Sequence, residues 1–355
     1  MLIMTMRVGV LFGGCSSEKE ISLESGRHIY NSLDSSKYHI IPIYVSYDLK
    51  LYEIAERLLW MNATADIEKC LETDAKRIYF EDLKNQIDFC FLGLHGKYVE
   101  DGALQGLLEI LEIPYNGPRI IGAAIGMDKI FQKQLLRAAG LNYPPHIVVR
   151  KEDLSANISK IESAVEKELG YPCVVKPSRE GCSTGISKVN EKSQLKAAFE
   201  EALKWDDIVM AEKFMNMMEV TCTVIGNEHP TALLPTETPF KGEFLTLEEK
   251  FLPGDAQMIT PPRVPEEDVK KMQEEFVKAY RAMNLRVYTR IDGFWDTKER
   301  KLYINEPNTL PGVTPSTMVF HQAAEAGMSP GDFFDKLIEL ALIEHGANKK
   351  QEALI

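Results

Sequence analysis

Arg290-Ile291-Asp292 and Tyr303-Ile304-Asn305-Glu306-Pro307-Asn308-Thr309-Leu310-Pro311-Gly312 are the residues of this chain best suited to chemistry. Two short apolar runs each end in an acid, and the second adds an amide two residues on. In a strand, positions i and i+2 share a face, so Glu306 and Asn308 can converge on one point. Asp292 can join them from a neighbouring strand. Three hard oxygen donors with no His or Cys suit Mg²⁺, which keeps waters and takes phosphate oxygens. The plainer reading is two strand ends with solvated acids. It is disfavoured because Thr309-Leu310-Pro311-Gly312 stops the strand where the ligands sit.

A second constellation runs Val174-Val175-Lys176-Pro177-Ser178-Arg179-Glu180-Gly181-Cys182-Ser183-Thr184-Gly185. A strand delivers a Lys into a loop with two Gly and several small polar residues. Small side chains let backbone N–H groups wrap an anion, and Lys176 supplies a point charge for phosphate. The Lys precedes the glycines and a strand follows, so this is not a GxxxxGK[ST] loop. A glycine-rich hairpin with a surface Lys fits equally well in isolation. Val209-Met210-Ala211-Glu212-Lys213-Phe214 can set a strand edge against a purine, or be an ordinary half-buried strand.

Elements must hold these groups. Arg7–Phe12 reads as a buried strand, broken by Gly13-Gly14, with Ser16 and Ser17 able to cap a helix over Glu18–Leu33. Strands are predicted at His39–Val45 and Ile87–Leu94, and helices at Asp101–Leu111 and Met127–Ala139. Strand alternating with helix indicates an α/β fold with a doubly wound parallel sheet to about Gly117. Strands then follow at Cys173–Lys176, Gly185–Val189, Ile208–Lys213 and Val220–Ile225, with a helix at Glu191–Leu203. The last third holds a helix at Glu266–Met283, the two acid-bearing strands, and helices near Ser316–Ala326 and Pro330–His345. The segment 239–262, rich in Gly, Pro and Thr, is long for an unstructured stretch and is expected to be a lid. The tail 346–355 is expected to fray.

At 355 residues the chain exceeds one ordinary core, so two or three domains are expected. Hydrophobic content of 45% and charged content of 26% are those of a soluble globular protein. A net charge of −12 argues against nucleic acid or an anionic membrane as the main partner. The six Cys are scattered without a CxxC pair, as in a cytoplasmic protein with reduced thiols. Met1–Met6 lacks a basic start and no apolar run approaches 18 residues, so neither signal peptide nor membrane anchor is expected.

The order of these features resembles the ATP-grasp superfamily and, within it, the D-alanine–D-alanine ligase family, nearly end to end. Leu11-Phe12-Gly13-Gly14-Cys15-Ser16-Ser17-Glu18-Lys19-Glu20-Ile21-Ser22 is similar to the family's first signature. Leu94-His95-Gly96 with Glu100-Asp101-Gly102-Ala103-Leu104-Gln105-Gly106 is similar to its second. Pro114-Tyr115-Asn116-Gly117 and Met127-Asp128-Lys129 follow in order, and Asn305–Gly312 matches the last. The resemblance implies a three-domain fold, with 1–117 Rossmann-like, 118–211 central and 212–355 C-terminal, and ATP between the second and third. It implies Lys129, Lys176 and Ser183 on the phosphates. Glu212, Lys213, Phe214 and Met215 would surround adenine, and Glu219 would take the ribose. Asp292, Glu306 and Asn308 would hold two Mg²⁺, with Mn²⁺ able to substitute. Glu18 would face the first amino acid, with His95 near it. Arg290, Lys250 and Gly312 would serve the transferred phosphate and the oxyanion, and Thr317 the second carboxylate. A homodimer acting on small amino acids, with a product for peptidoglycan, is the family expectation.

Two departures touch the substrate side. Cys182 stands where a Ser is usual, and Phe251 where a Tyr follows the lid Lys250. Those hydroxyls normally form a trio with the Glu at position 18; a thiol is a weak donor and Phe has none. A relative that joins D-alanine to D-lactate or another nucleophile therefore stays open beside a D-alanine–D-alanine ligase. A catalytically silent ATP-binding module is disfavoured by the complete Arg290, Asp292, Glu306 and Asn308 set.

Overall fold

The structure is a computed structural model that describes residues 5–181, 184–239 and 258–352. Cys182, Ser183, Lys250, Phe251 and most of the expected lid lie outside the described residues.

The first sheet holds β1 (Met6–Gly13), β2 (Tyr38–Val45), β3 (Leu51–Ile54), β4 (Ala75–Ile78) and β5 (Phe89–Leu92) in the order β4-β3-β2-β1-β5. β1 runs parallel to both β2 and β5, which confirms the α/β expectation at the centre of the sheet. β3 and β4 extend it antiparallel, so the sheet is mixed rather than wholly parallel. Sequence reading missed both. Each has only four residues, and Glu53 and Lys76 interrupt the apolar signal. The helices Lys19–Ser32 and Pro330–Glu352 both contribute to this sheet's core, the latter through Phe333, Phe334, Leu337, Ile338 and Ala341. Burying each such large apolar side chain contributes about 1.5–3 kcal/mol, so the chain's end is anchored to its beginning. The last helix continues to Glu352, past the point where fraying was expected.

The second sheet is antiparallel, in the order β6-β9-β7-β8: β6 (His146–Arg150), β7 (Cys173–Pro177), β8 (Ser187–Val189) and β9 (Ile208–Lys213). Helices Lys151–Glu168 and Lys192–Ala202 cover it over a core around Val165, Val175, Phe199 and Val209. The expected 211/212 division falls inside β9, because Glu212 and Lys213 continue its ladder against β6 and β7.

The third sheet runs β11-β10-β13-β14, with β12 also on β10: β10 (Met218–Ile225), β11 (Thr231–Ala232), β12 (Thr236–Glu237), β13 (Tyr288–Asp296) and β14 (Lys301–Asn308). The amphipathic helix Glu266–Ala282 lays Met272, Phe276, Ala279 and Tyr280 on its inner face. Proline at 265 starts that helix, and the three acids Glu266, Glu267 and Asp268 in its first turn oppose the helix dipole.

Candidate active site

β13 and β14 pair antiparallel with Asp292 opposite Glu306 and Arg290 opposite Asn308. Because i and i+2 share a face, these four side chains form one patch. A bulge between Asp292 and Gly293 breaks the register just beyond the patch. Arg290 donates from Nε and an η nitrogen to Asp292, each at 2.9 Å. The same carboxylate accepts from Thr221 Oγ1 at 2.6 Å and from Asn308 Nδ2 at 3.0 Å. Burial works against the Arg290 charge, but Asp292 more than compensates and holds its pKa above the ordinary value. Glu306 lies 3.3 Å from Lys129 Nζ.

Each acid of the expected metal set thus sits against a cation of the protein. Among the described residues no cluster of three His, Cys, Asp or Glu side chains forms a ready-made metal site. The set here is two carboxylates and one amide converging on a cleft, an oxygen-donor chemistry that fits Mg²⁺ completed by water and phosphate. The Arg290 and Lys129 partners show that the carboxylates face positive charge in this geometry.

Lysines approach the patch from two directions. Helix Lys129–Ala138 is capped by Asp128, whose Oδ1 accepts from the amides of Ile130 and Phe131 at 2.9 and 3.1 Å. That cap fixes Lys129 at the helix start, where its ammonium also donates to the Glu180 carbonyl at 2.6 Å. Lys176, near the end of β7, donates to Glu212 Oε1 at 3.0 Å and to Asn305 Oδ1 at 3.5 Å. Burial would disfavour that ammonium, but Glu212 and Glu306 raise its pKa above the ordinary value.

The opposite wall comes from the first sheet's loops. The segment 310–313, which carries Gly312, is held by side chains far away in sequence. Glu100 accepts from the Leu310 amide at 3.4 Å, and His95 Nδ1 pairs with the Leu310 carbonyl at 3.0 Å. Ser25 Oγ accepts from the Val313 amide at 3.3 Å, and His28 Nδ1 pairs with the Val313 carbonyl at 2.7 Å. Since a carbonyl only accepts, His95 carries its proton on Nδ1, and Nε2 then accepts from the Ser25 hydroxyl at 2.9 Å. Burial holds the His95 pKa below the ordinary histidine value, with Glu18 opposing. Burial also pushes Glu100 up to about 8, helped by the nearby Glu18 charge and opposed by the Gly96 amide. Gly96 has φ +82°, and a Cβ there would stand 3.1 Å from Glu18 Oε2, so the turn needs glycine both for its backbone and for room beside Glu18.

These walls line an open cleft, whose space of about 910 Å³ includes solvent at its mouth. Glu18 and His95 line it from the first sheet's loops and Lys129 from its helix, while Arg290, Glu306, Asn308 and Gly312 line it from the hairpin. Helix Ile120–Met127 closes in tightly, since a Cβ on Gly126 would lie 2.2 Å from Thr309 Cγ2. Lys176, Glu212 and Asp292 stand just behind, each under a tenth exposed. On the expected purine wall, Glu212 is buried between two lysines, Lys213 is exposed, Met215 is buried, and Phe214 lies under Lys188 at 4.4 Å. Glu219 is half-buried on β10. Thr317 is buried at the start of helix Met318–Glu325, and its hydroxyl donates to the Thr314 carbonyl at 2.9 Å. The structure thus brings the hairpin, lysine and Glu18 sets together, while Thr317 is not among the residues lining the cleft and its hydroxyl is engaged locally.

The chain matches the family model described as the D-ala D-ala ligase N-terminus over residues 7–118 and the one for the D-ala D-ala ligase C-terminus over 135–339. This chain belongs to the D-alanine–D-alanine ligase family. It is 35% identical over 353 residues to the D-alanine–D-alanine ligase of Geobacillus thermodenitrificans, covering 96% of this chain and 97% of that one. It is 36% identical over 339 residues to the enzyme of that name from Carboxydothermus hydrogenoformans, covering 95% and 98%. Among solved structures, the VanG D-Ala:D-Ser ligase of Enterococcus faecalis superposes with TM-score 0.84 at 28% identity, covering 95% of this chain and 99% of that one. The D-alanine–D-alanine ligase of Bacillus anthracis complexed with ATP superposes with TM-score 0.71 at 30% identity, covering 97% and 99%. The fold is therefore that of an ATP-dependent ligase family.

Sequence reasoning gave no role to Glu100, Ser25, His28, Thr221, Asn305 or Lys133. Only Lys133 left a usable signal, four residues after Lys129 and so on the same helix face. The others act through contacts 71 to 288 residues apart or through an uncharged side chain, which no local pattern announces.

Proposed function

We propose that this protein joins two D-alanine molecules, using ATP and Mg²⁺, to give D-alanyl-D-alanine for peptidoglycan precursors. The Arg290–Asp292–Glu306–Asn308 patch, flanked by buried lysines and facing a loop amide, carries this reading. A carboxylate oxygen of the first substrate attacks the γ-phosphorus of ATP, and the bond to the β-phosphate oxygen breaks, releasing ADP. The amine of the second substrate then attacks the carbonyl carbon, loses a proton, and expels inorganic phosphate.

Negative charge develops first on the transferring phosphoryl oxygens, where Lys129, Lys176 and Arg290 supply positive charge. Bound Mg²⁺, held by Asp292, Glu306 and Asn308, would neutralise phosphate oxygens and orient them. Charge develops next on the tetrahedral oxyanion. There Arg290 and the Gly312 amide are the donors, and the Leu310–Val313 pins keep that amide in place. Glu18, at the cleft wall, would hold the first amino group. Ser183, Lys213, Phe214, Met215 and Glu219 complete the nucleotide side in this reading. Cys182, Lys250 and Phe251 complete the lid side.

The division into 1–117, 118–211 and 212–355 is supported by the three sheets, with the second boundary running inside β9 and the last helix joining the first sheet's core. A cytoplasmic homodimer fits as well. Ile110, Ile121 and Phe131 are 82%, 62% and 57% exposed on the surface helices Ala103–Ile110, Ile120–Met127 and Lys129–Ala138, which suits a partner copy. Among the described residues no helix is long and apolar enough to cross a membrane.

A second reading, D-serine or D-lactate as the second substrate, follows from Thr317, whose hydroxyl is turned to Thr314, and from Phe251. ATP-dependent phosphate release with D-alanine alone, D-alanine plus D-serine, and D-alanine plus D-lactate separates the readings. Dipeptide as the sole product from D-alanine supports the first. Mixed product under equal competition supports the second. No release with any amino acid contradicts both.

A further inference from the structure

We infer that Lys133 is a positioning residue for the nucleotide: by balancing Glu212 from behind, it leaves the Lys176 ammonium with net positive charge for the triphosphate. The inference rests on the ATP reading above and deepens it.

Lys133 lies one helical turn beyond Lys129 and is only 1% exposed. Its Nζ is 2.8 Å from Glu212 Oε2, while Lys176 Nζ is 3.0 Å from Glu212 Oε1. One buried carboxylate is therefore shared by two ammonium groups, one on each oxygen. With both ammonium groups charged the unit carries +1; without Lys133 it would carry zero. Burial lowers the Lys133 pKa, and Glu212 opposes that shift. A pair built only for stability needs one cation, and a buried ammonium is costly to hold. The Lys133 contact is an ion pair without aligned hydrogen-bond geometry, so charge rather than direction holds it.

Among the described residues Glu212 is the anion that Lys133 contacts, with Glu306 attracting it more weakly. Tyr143 presents its ring at 6.0 Å, and His146, opposite Glu212 in the β6–β9 ladder, is kept below the ordinary histidine value first by burial and then by Lys133. Lys176 alone of the two reaches on to Asn305, and it also feels Glu306, the residues that lead into the cleft. The order Lys133, Glu212, Lys176, Asn305 thus runs from the core outward, with the surplus charge at the cleft end.

The test is calorimetric binding of ATP, ADP and adenosine to the wild type and to Lys133→Met, with kcat at saturating ATP. We expect ATP and ADP to weaken by about tenfold, the scale of one partly buried charge contact, and adenosine by less than about twofold. kcat should change less than KM for ATP. Unchanged ATP affinity in a folded variant overturns the inference, and so does an equal loss for adenosine, which would mean a packing role. The double variant Lys133→Met/Glu212→Gln removes the anion together with the cation. It should restore the ratio of adenosine to ATP dissociation constants, and it serves as the test if the single variant does not fold. A double variant that keeps the reduced ratio overturns the inference. A wild type that binds no ATP overturns the proposed function itself, whereas equal binding by wild type and variant removes only Lys133.

Discussion

The two walls of the cleft are built on opposite plans. The hairpin wall places charged side chains directly: Arg290, Asp292, Glu306 and Asn308 come from facing positions of two adjacent strands. The opposite wall places a backbone instead. Glu100, His95, Ser25 and His28 reach from the first sheet's loops and helix to hold Leu310 and Val313, and through them Gly312. Charge on the first wall should therefore govern whether phosphate transfers. Geometry on the second should govern how well the oxyanion is met. Mutations on the first wall should remove activity outright, and those on the second should grade it.

The largest break should come from the hairpin. Glu306→Gln or Arg290→Ala should lower turnover by about 10²–10³-fold or more, the scale of one lost electrostatic donor, while circular dichroism stays native. Near-normal ADP release in either variant would remove the charged wall from the chemistry.

The second effect is on stability against pH, through Glu100. Burial raises its folded pKa to about 8, above its ordinary value. For an acid raised this way, the unfolded chain gives up its proton near pH 4–5 while the folded chain keeps it. Stability is then greatest at low pH and falls as pH rises from about 4.5 to 8. Glu100→Gln does not titrate, so it should gain on the wild type across that window, by on the order of a few kcal/mol at pH 9. Denaturation series that stay parallel from pH 5 to 9 would contradict the buried, raised carboxyl.

Ser25→Ala sharpens the comparison. It removes the hydroxyl that accepts from the Val313 amide and donates to His95, a loss of about 1 kcal/mol, or roughly fivefold in kcat. KM for ATP should stay within about twofold of the wild type. A KM effect larger than the kcat effect would mean the pins serve nucleotide binding. The smallest effect belongs to Thr317→Ser, which keeps the hydroxyl on the Thr314 carbonyl and should leave turnover within about twofold. A tenfold change would show that the threonine methyl is used in substrate recognition.

The same contrast explains what the sequence could announce. Asp292, Glu306 and Asn308 were legible because strand periodicity alone puts i and i+2 on one face, and the antiparallel partner supplies the rest. Lys176 was legible because a strand ended in a glycine loop. The parallel centre β2-β1-β5 followed from long apolar runs, whereas β3 and β4 were too short and too polar to register. Ser25 and His28 left no local trace; His95 and Glu100 stood in a family signature, but nothing local marked them as pins. Their partners are backbone atoms about 210 to 290 residues away, and folding alone brings them together. Lys133 sits between these cases, visible by its helical spacing from Lys129 but given meaning only by Glu212 from another strand.

Whether the cleft activates a carboxylate as an acyl phosphate is read most directly by isotope transfer. D-alanine labelled with ¹⁸O in its carboxylate is turned over with ATP, and the inorganic phosphate is analysed by mass spectrometry. The account predicts one ¹⁸O atom carried into phosphate for each peptide bond formed, since the attacking oxygen leaves with the phosphoryl group. Phosphate without label, or label recovered in AMP, would contradict it.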